Sequence, residues 1–540
     1  PKMQYTKEQL NSFDKDLLIQ LFLSQQEQTE SLTKEVRSLN NKIQLILEQL
    51  ADAKRSRFGR SSEKMNDPAQ IRFMEVDGEI VFFNEAEAVY DPESPEPQEI
   101  EIKSFRRKKT AGKKEADIAG LKTNRIDHYL SDDELTAEFG DHGWKQLPDE
   151  ISKHYVFIPA RVEIDEHHVG VYADKKENRI IRAPHPKSLL RGSLVSPTIA
   201  ASIMNGKYVN AVPLYRLEKE FERYGLAITR QNMANWMIRL GEEYLGILYD
   251  RLHEMMYSYH VIQADETYLY VNHDGRPAGT KSFMWVYRTG ELYTDRPIVL
   301  YEYQKTRNSS HPREFLRSYS GICVTDGYQV YHTVGKQLED LKIAGCWIHG
   351  RRKIEKALHA IPKPVQNKSV AYLLMKQIQA IYREEGKLKD LSPEERLKQR
   401  QLVIRPLVDA FFVFLKLKRN EIPLQGNLKD GFNYFINQES YLRVFLEDGE
   451  VPMDNNATER AIRGFCVGRK NWQLIDTING ARSSAIIYSI AETAKANNLK
   501  PYDYFAHLLT EIPKHMEEKD RAFLDDLLPW SPKLPEHIRK

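Results

Sequence analysis

Cysteine is scarce: Cys323, Cys346 and Cys466 are the three in 540 residues, and they lie far apart. That excludes a disulfide framework and gives no Cys-x-x-Cys metal site, so a reducing, cytosolic setting is the expectation. Long apolar runs are also missing. None reaches the ~18 residues that a membrane span needs, and the opening PKMQYTKEQLNSFDKD has no signal-peptide pattern. No excess of one charge exists either. The formal net charge is +2 although 29% of residues are charged, so partners must be read from local charge. What is present suffices for globular folding: 41% of residues are hydrophobic, and 540 residues are too many for one core, which predicts several domains.

Residues 14–53 contain neither Gly nor Pro, and Leu18, Phe22, Leu32, Val36, Leu39, Ile43, Ile46 and Leu50 follow a heptad spacing that Gln25 and Thr29 interrupt. The pattern predicts a coiled coil joining two or more protomers. An amphipathic helix packed on its own domain is the competing reading. Residues 54–123 pass from basic KRSRFGRSSEK through acidic EAEAVYDPESPEPQEIE to basic KSFRRKKTAGKK. They read as a flexible charged linker, whose last block either touches phosphates or is a solvated tail. Residues 124–185 mix short strands and loops, and His167 and His168 there lack the further ligands a metal site needs.

Residues 196–256 read as helical, with Ser196 as a cap before Pro197, a stop at Gly225 and Thr229 as the next cap. A helix, a turn and a capped helix carrying Arg230, Gln231, Asn232 and Asn235 suit a helix-turn-helix. Arg, Gln and Asn are the side chains that read base edges. An ordinary helical linker domain is the alternative.

From residue 258 the pattern turns to strands. YHVIQADETYLYVN, SFMWVYRTG and RPIVLYEYQ are successive strand-like runs, followed by the Ser-capped helix SSHPREFLRSY, the strand GICVTDGYQVY, the helix KQLEDLK and the strand-into-helix IAGCWIHGRRKIEKALHA. Three antiparallel strands followed by strand and helix alternation predict a ribonuclease H-like core, a mixed sheet with helices on its faces. Residues 365–447 interrupt it with helix-forming sequence, after which VPMDNNATERAIRGFCVGRKNWQL supplies a helix capped by Asp454 or Asn455.

Asp265 lies within the first strand, Asp326 ends the fourth and Glu459 lies on the helix after the insertion. Each alone has a bland reading: an edge-strand acid, an Asp-Gly turn, and an exposed Glu459–Arg463 pair one helical turn apart. Together they point elsewhere. In a ribonuclease H-like sheet the first and fourth strands are neighbours, and clustered carboxylates repel unless a cation joins them. Mg²⁺ takes hard oxygen ligands, and two such ions about 4 Å apart clamp the attacking and leaving oxygens of a phosphoryl displacement. Glu266 is adjacent to Asp265, but successive strand side chains point to opposite faces, so only one of the two is expected at the site. His349, Arg351, Arg352 and Lys353 of HGRRK, with Arg460, Arg463, Arg469 and Lys470, are the candidate phosphate contacts. Trp347 and Trp472 read as core.

GRSSEK, PLYRLEKEFERYG, ADET, DGY, CWIHGRRK, DNNATERAIRGFCVGRKNW and ETAKANN occur in an order that resembles the transposases of the insertion sequence 66 family. The resemblance extends from the heptad segment to LLPW near the C-terminus, and the motif around Glu459 is its most specific part. It implies a DDE transposase with Asp265, Asp326 and Glu459 as triad, Mg²⁺ (or Mn²⁺ in its place) as cofactor, cleavage at terminal inverted repeats and strand transfer to target DNA. It also implies small accessory proteins of the same element and a bacterial cytoplasmic, nucleoid-associated setting. The family commonly has a cysteine-rich zinc-binding module before the helix-turn-helix; residues 124–185 stand in its place without a cysteine, so no zinc is expected.

The expected architecture is multidomain α+β: coiled coil 14–53, linker 54–123, cysteine-free module 124–185, helix-turn-helix DNA-binding region 186–256, ribonuclease H-like α/β catalytic core 257–364 and 448–480, all-helical insertion 365–447, and C-terminal helices 481–540. The expected partners are DNA, as element ends and target, and further copies of the chain through 14–53, with no membrane. Two alternatives are a metal-dependent ribonuclease H-like nuclease without strand transfer and a DNA-binding protein that no longer acts.

Overall fold

In the computed structural model the strand predicted around VIQADETYLYV is β1, Val261–His273. Its Val, Ile, Thr and Tyr residues suit a pleated, half-buried surface. The structure describes residues 73–76, 79–82, 125, 129–139, 160–173, 180–185, 187–277, 279–421 and 426–540. The coiled coil expected over 14–53 lies outside them, as does most of the linker expected over 54–123.

Two units divide the chain. In the unit spanning Ser61–Pro159, strands Phe73–Val76 and Glu79–Phe82 pair antiparallel within the segment read as linker. Asp77-Gly78, between them in sequence, is a dipeptide favoured in hairpins. Helix Asp132–Phe139 in the same unit starts with Ser131 and Glu134 in reciprocal hydrogen bonds, a capping box.

The other unit holds the described residues from Ala160 onward. Among them β1, β2 (Lys281–Thr289), β3 (Val299–Gln304), β4 (Gly321–Thr325), β5 (Leu341–Gly345) and β6 (Ile475–Thr477) form one mixed sheet. Its order is β3-β2-β1-β4-β5, with β6 parallel to the far end of β1. The first three strands are antiparallel, whereas β4 runs parallel to β1 and β5 parallel to β4. The expected neighbourhood of first and fourth strands is therefore present. Pairing of β1 with β4 covers Val261↔Ile322 to Gln263↔Val324 and ends there; beyond that point β1 continues without β4.

Before the sheet come α1 (Pro197–Met204), α2 (Leu214–Arg223), α3 (Arg230–Leu240) and α4 (Gly246–Met256). Ser196 and Thr229 cap α1 and α3 by accepting from the amides of Ile199 and Asn232. Gly225, at φ +81, provides the left-handed residue just beyond α2. Within the sheet region lie α5 (Ser310–Phe315), α6 (Gln329–Gln337) and α7 (Trp347–His359). The serine cap expected for α5 is not made: Asn308 accepts from the Ser310 amide instead. Next come α8 (Val370–Gly386), α9 (Arg405–Glu421) and α10 (Gly426–Asn437), then α11 (Asn456–Trp472), α12 (Ile478–Ala496) and α13 (Pro501–Glu511).

Two apolar clusters hold this unit together. One joins Met237 and Leu240 of α3, Trp285 and Tyr287 of β2, Tyr301 of β3, Phe465 of α11, Tyr488 of α12 and Leu508 of α13. The helices before the sheet and those at the C-terminus thus share a core with it. The second cluster, around Trp347, joins Phe411 of α9 and Phe435 of α10 to Val324 and Ala344 of the sheet. Trp347 is fully buried, as expected of a core residue. The outer edge of β3 is covered by α12, where Thr493 and Ser489 bond the amides of Val299 and Tyr301. A side-chain cover of this kind keeps a sheet edge from pairing with another chain.

Candidate metal centre

Among the described residues, one group of acids can hold a metal: single carboxylate oxygens of Asp265, Glu266 and Asp326 all lie within 4.8 Å of one another. The topology explains the meeting. Asp265 pairs with Val286 of β2 but has no partner on the β4 side, because that ladder stops at Gln263↔Val324. Asp326 is the residue directly after β4. Both acids therefore stand just past the last rungs shared by the two strands. The Asp-Gly turn reading of Asp326 is compatible with this, since its Oδ1 accepts from the Tyr328 amide at 2.9 Å.

Glu266 corrects the sequence reading. Strand alternation predicts that it turns away from Asp265, yet its carboxylate belongs to the same group. β2 still pairs with Asp265 and Glu266, but on the β4 side β1 has no neighbouring strand here, and the longer Glu side chain reaches that open edge. It is also held there. Arg307 donates to Oε1 from Nε at 2.7 Å and from Nη2, and Tyr331 donates to Oε2 at 2.8 Å. The Arg307 guanidinium stacks on the Tyr328 ring at 3.5 Å. With its side chain 1% exposed, Glu266 is a buried charge with a cationic partner.

Among the described residues Asp265 has no such partner. Burial, and then the charges of Glu266 and Asp326, push its carboxyl well above the usual carboxylate range. Glu266 is raised by burial and Asp326, while Arg307 and Tyr331 oppose the shift. A cluster of hard oxygen donors whose negative charge Arg307 offsets only in part suits Mg²⁺ or Mn²⁺.

Glu459 is brought near by α11 but is engaged elsewhere. Asn455, fully buried, donates from its side-chain amide to the Ala264 carbonyl at 2.8 Å. Its oxygen accepts from Gln263 at 3.1 Å and Thr458 at 2.8 Å, and its backbone amide donates to Cys346 Sγ at 3.2 Å. Asn455 occupies the N-cap position of α11, as expected, but its side chain makes no capping bond and instead ties the helix to the strand position before Asp265; Asp454 accepts from the Asn456 amide at 3.0 Å. Glu459 itself pairs with Arg352 through two bonds of 2.9 and 2.6 Å, in place of the surface pair with Arg463. His349 Nε2 lies 3.7 Å from the same carboxylate. Burial holds the His349 pKa below its ordinary value, against the pull of Asp326 and Glu459.

The other basic candidates divide. Arg460 pairs with Glu291, Arg351 lies over the Tyr382 ring and Lys353 over Tyr434. Arg463 is half-buried on α11 and Lys470 is exposed at its end. Arg469 overturns its expected role as a phosphate contact. It is 9% exposed and turns inward, donating to Thr267 Oγ1 at 2.9 Å and to the Tyr268 carbonyl. Its guanidinium answers the carbonyl of a strand that has no β4 to pair with. Trp472 packs edge-on against Phe465. Arg230, Gln231, Asn232 and Asn235 are all exposed on α3, while Met233, Met237 and Leu240 face the core.

Arg307, Tyr331 and Asn455 are the site residues that sequence reasoning missed. DNNATER carried a signal for Asn455, two adjacent Asn where one cap suffices; Arg307 and Tyr331 carried none.

Comparison with known proteins places these residues in a wider setting. The model described as Transposase IS66 family matches residues 192–483, the IS66 C-terminal element matches 489–530, and the model described as Transposase C of IS166 homeodomain matches 46–121. The last overlaps the segment read as linker. Two relatives come from Sinorhizobium fredii (strain NBRC 101917 / NGR234). Uncharacterized protein y4qI is 28% identical over 370 residues, 67% of this chain and 67% of that protein. Uncharacterized protein y4jD is 28% identical over 367 residues, 66% and 70% of the two chains. Among solved structures, the Mos1 transposase paired-end complex with left transposon end aligns over 31% of this chain and 63% of that chain, at 13% identity and TM-score 0.12. A simian T-cell lymphotropic virus intasome in complex with PP2A regulatory subunit B56 gamma aligns over 32% and 53%, at 14% identity and TM-score 0.13. TM-scores this low do not define a shared fold.

Proposed function

Because the chain belongs to the Transposase IS66 family, we propose that it is a DDE transposase that cuts the ends of its element and joins them to target DNA. The core is then ribonuclease H-like, a reading that the strand order β3-β2-β1-β4-β5 supports. The observation that carries the proposal is the meeting of Asp265 and Asp326 past the last β1–β4 rung, with α11 tied to the same strand by Asn455.

In this reading Asp265, Asp326 and Glu459 hold Mg²⁺, or Mn²⁺ in its place, and act as ligands rather than as general acid and base. When bound, the ions lower the pKa of the attacking water or 3′-hydroxyl and stabilise the departing oxygen. Glu266 stays with Arg307 and Tyr331 and fixes the shape of the acid cluster. His349, Arg351, Arg352, Lys353, Arg460, Arg463 and Lys470 contact phosphates, and Arg230, Gln231, Asn232 and Asn235 on α3 read bases as the second helix of a helix-turn-helix. Pairing of protomers through 14–53, and accessory proteins of the same element, belong to the same proposal. Among the described residues no helix is long and apolar enough to cross a membrane.

The test is incubation of the purified chain with its element's ends, in Mg²⁺ or EDTA, with nicked and joined products resolved on a sequencing gel. Both products are expected with Mg²⁺ only. Asp265→Asn, Asp326→Asn and Glu459→Gln each lose both while retaining DNA binding. Joined product from Asp265→Asn overturns the site; nicking without joining in the wild type points to a nuclease instead.

A further inference from the structure

Glu459 stands apart from the other acids. Arg352 occupies both its carboxylate oxygens, Nη1 to Oε1 at 2.9 Å and Nη2 to Oε2 at 2.6 Å. It is absent from the group whose oxygens lie within 4.8 Å of one another. A two-pronged guanidinium pair uses one lone pair on each oxygen, the two that a chelating metal ion would take. The two side chains are unequally accessible: Glu459 is 15% exposed and Arg352 is 44%. The guanidinium therefore meets solvent while it holds the carboxylate.

The backbone under Glu459 is fixed. Asn455 is bonded to Ala264 and Gln263 of β1, and the Glu459 amide donates to the Asn455 carbonyl at 3.2 Å. Reaching Asp265 is thus left to rotation of the Glu459 side chain, and that rotation requires Arg352 to let go.

We infer that Arg352 is a positioning residue that exchanges Glu459 for a DNA phosphate. With DNA bound, its guanidinium turns to a backbone phosphate, and Glu459 is released to complete the metal site with Asp265 and Asp326. The inference rests on the DDE reading proposed above. Carboxylate and phosphate are both oxyanions that accept the arginine fork, so the exchange preserves the charge-assisted bonds. The freed carboxylate is not left unpaired, because a divalent cation takes the place of the guanidinium. DNA and metal then bind with a reciprocal coupling, and the free protein holds its site incomplete.

The test titrates Mn²⁺ into the full chain and reads free Mn²⁺ by electron paramagnetic resonance, with and without a duplex carrying the element's end. In the wild type, DNA tightens Mn²⁺ binding about tenfold, within the usual range of such couplings. Arg352→Ala binds Mn²⁺ without DNA about as tightly as the wild type does with it, and DNA adds less than about twofold. Arg352→Gln repeats this result with a longer polar side chain should the alanine variant fold poorly. Adding Glu459→Gln to either variant returns binding to the weak level. Arg352 variants that bind Mn²⁺ no more tightly than the DNA-free wild type overturn the exchange. Asp265→Asn separates the two levels: Mn²⁺ binding unchanged by that substitution means the metal site itself is misassigned, whereas its loss beside unaltered Arg352 variants rejects the exchange alone.

Discussion

The side-chain amide of Asn455 donates to the Ala264 carbonyl at 2.8 Å, joining α11 to the strand position directly before Asp265. Glu459 follows one helical turn later, its amide bonded to the Asn455 carbonyl. A single buried residue thereby sets the distance between two acids that are far apart in sequence.

Replacing it tests that role. Asn455→Ala removes bonds to Ala264, Gln263 and Thr458 and leaves their polar groups buried. A loss of about 2–4 kcal/mol is expected, because unmade buried hydrogen bonds cost ~1–3 kcal/mol each. A lower urea midpoint and weaker Mn²⁺ binding below that midpoint are the readouts; an unchanged Mn²⁺ affinity in folded protein contradicts the positioning role.

Asp265→Asn removes a charge that burial, Glu266 and Asp326 all disfavour. For an acid whose folded pKa is raised, stability is complete below the unfolded pKa of about 3.9, declines from there up to the folded value and then levels. In EDTA the wild type is therefore expected to lose stability with rising pH more steeply than the Asn variant. Mg²⁺ favours the ionised form and should flatten the wild-type decline. Thermal melts across pH, with EDTA or Mg²⁺, make the comparison; parallel curves for the two proteins in EDTA reject it.

Glu302 on β3 offers a second pH test, away from the acid cluster. Burial is the main cause raising its pKa from 4.5 to about 7. Its Oε1 accepts from Gln304 at 2.7 Å, whereas Oε2 is buried with no hydrogen-bond partner among the described residues. Between pH 4.5 and about 7 the unfolded chain ionises this group and the folded one does not, so stability falls by about 3 kcal/mol across that window and then levels. Glu302→Gln should abolish this part of the slope, measured by urea unfolding from pH 4.5 to 8.

Arg469 and Arg230 should separate structure from DNA contact. Arg469→Ala removes a buried cation from Thr267 and Tyr268, so a stability loss of about 2–3 kcal/mol is expected. The slope of DNA affinity against log salt should stay unchanged. Arg230→Ala, at an exposed position on α3, should leave stability within about 0.5 kcal/mol and weaken binding by about 1–3 kcal/mol. A lower salt slope in Arg469→Ala would restore it to the DNA-binding surface.

Much of this was legible in one dimension. The β-branched and aromatic runs marked β1, β2 and β3, the Ser196 and Thr229 caps marked α1 and α3, and Asp265 and Asp326 stood out as acids at strand positions that a mixed sheet makes neighbours. Propensity, capping and alternation are local rules, and these features obey them. The shared core of the helices before the sheet and those at the C-terminus was not legible, because apolar periodicity shows that a face is buried without showing what buries it.

Glu266 marks where local reading stops. Alternation assigns it to the face opposite Asp265, but that rule fixes the direction in which a side chain starts, not where a long one ends beside an open strand edge. The β1–β4 ladder ends at Val324, so the opening admits both acids. Arg469 and Arg352 follow the same principle. Charge and spacing mark them as phosphate contacts, but an unpaired strand carbonyl claims the first, and Glu459 holds the second while no DNA is bound. The amino-acid order determined which groups were available and on which elements they stood. Their partners were decided in three dimensions, where a buried charge or carbonyl takes the nearest complementary group whatever its distance along the chain.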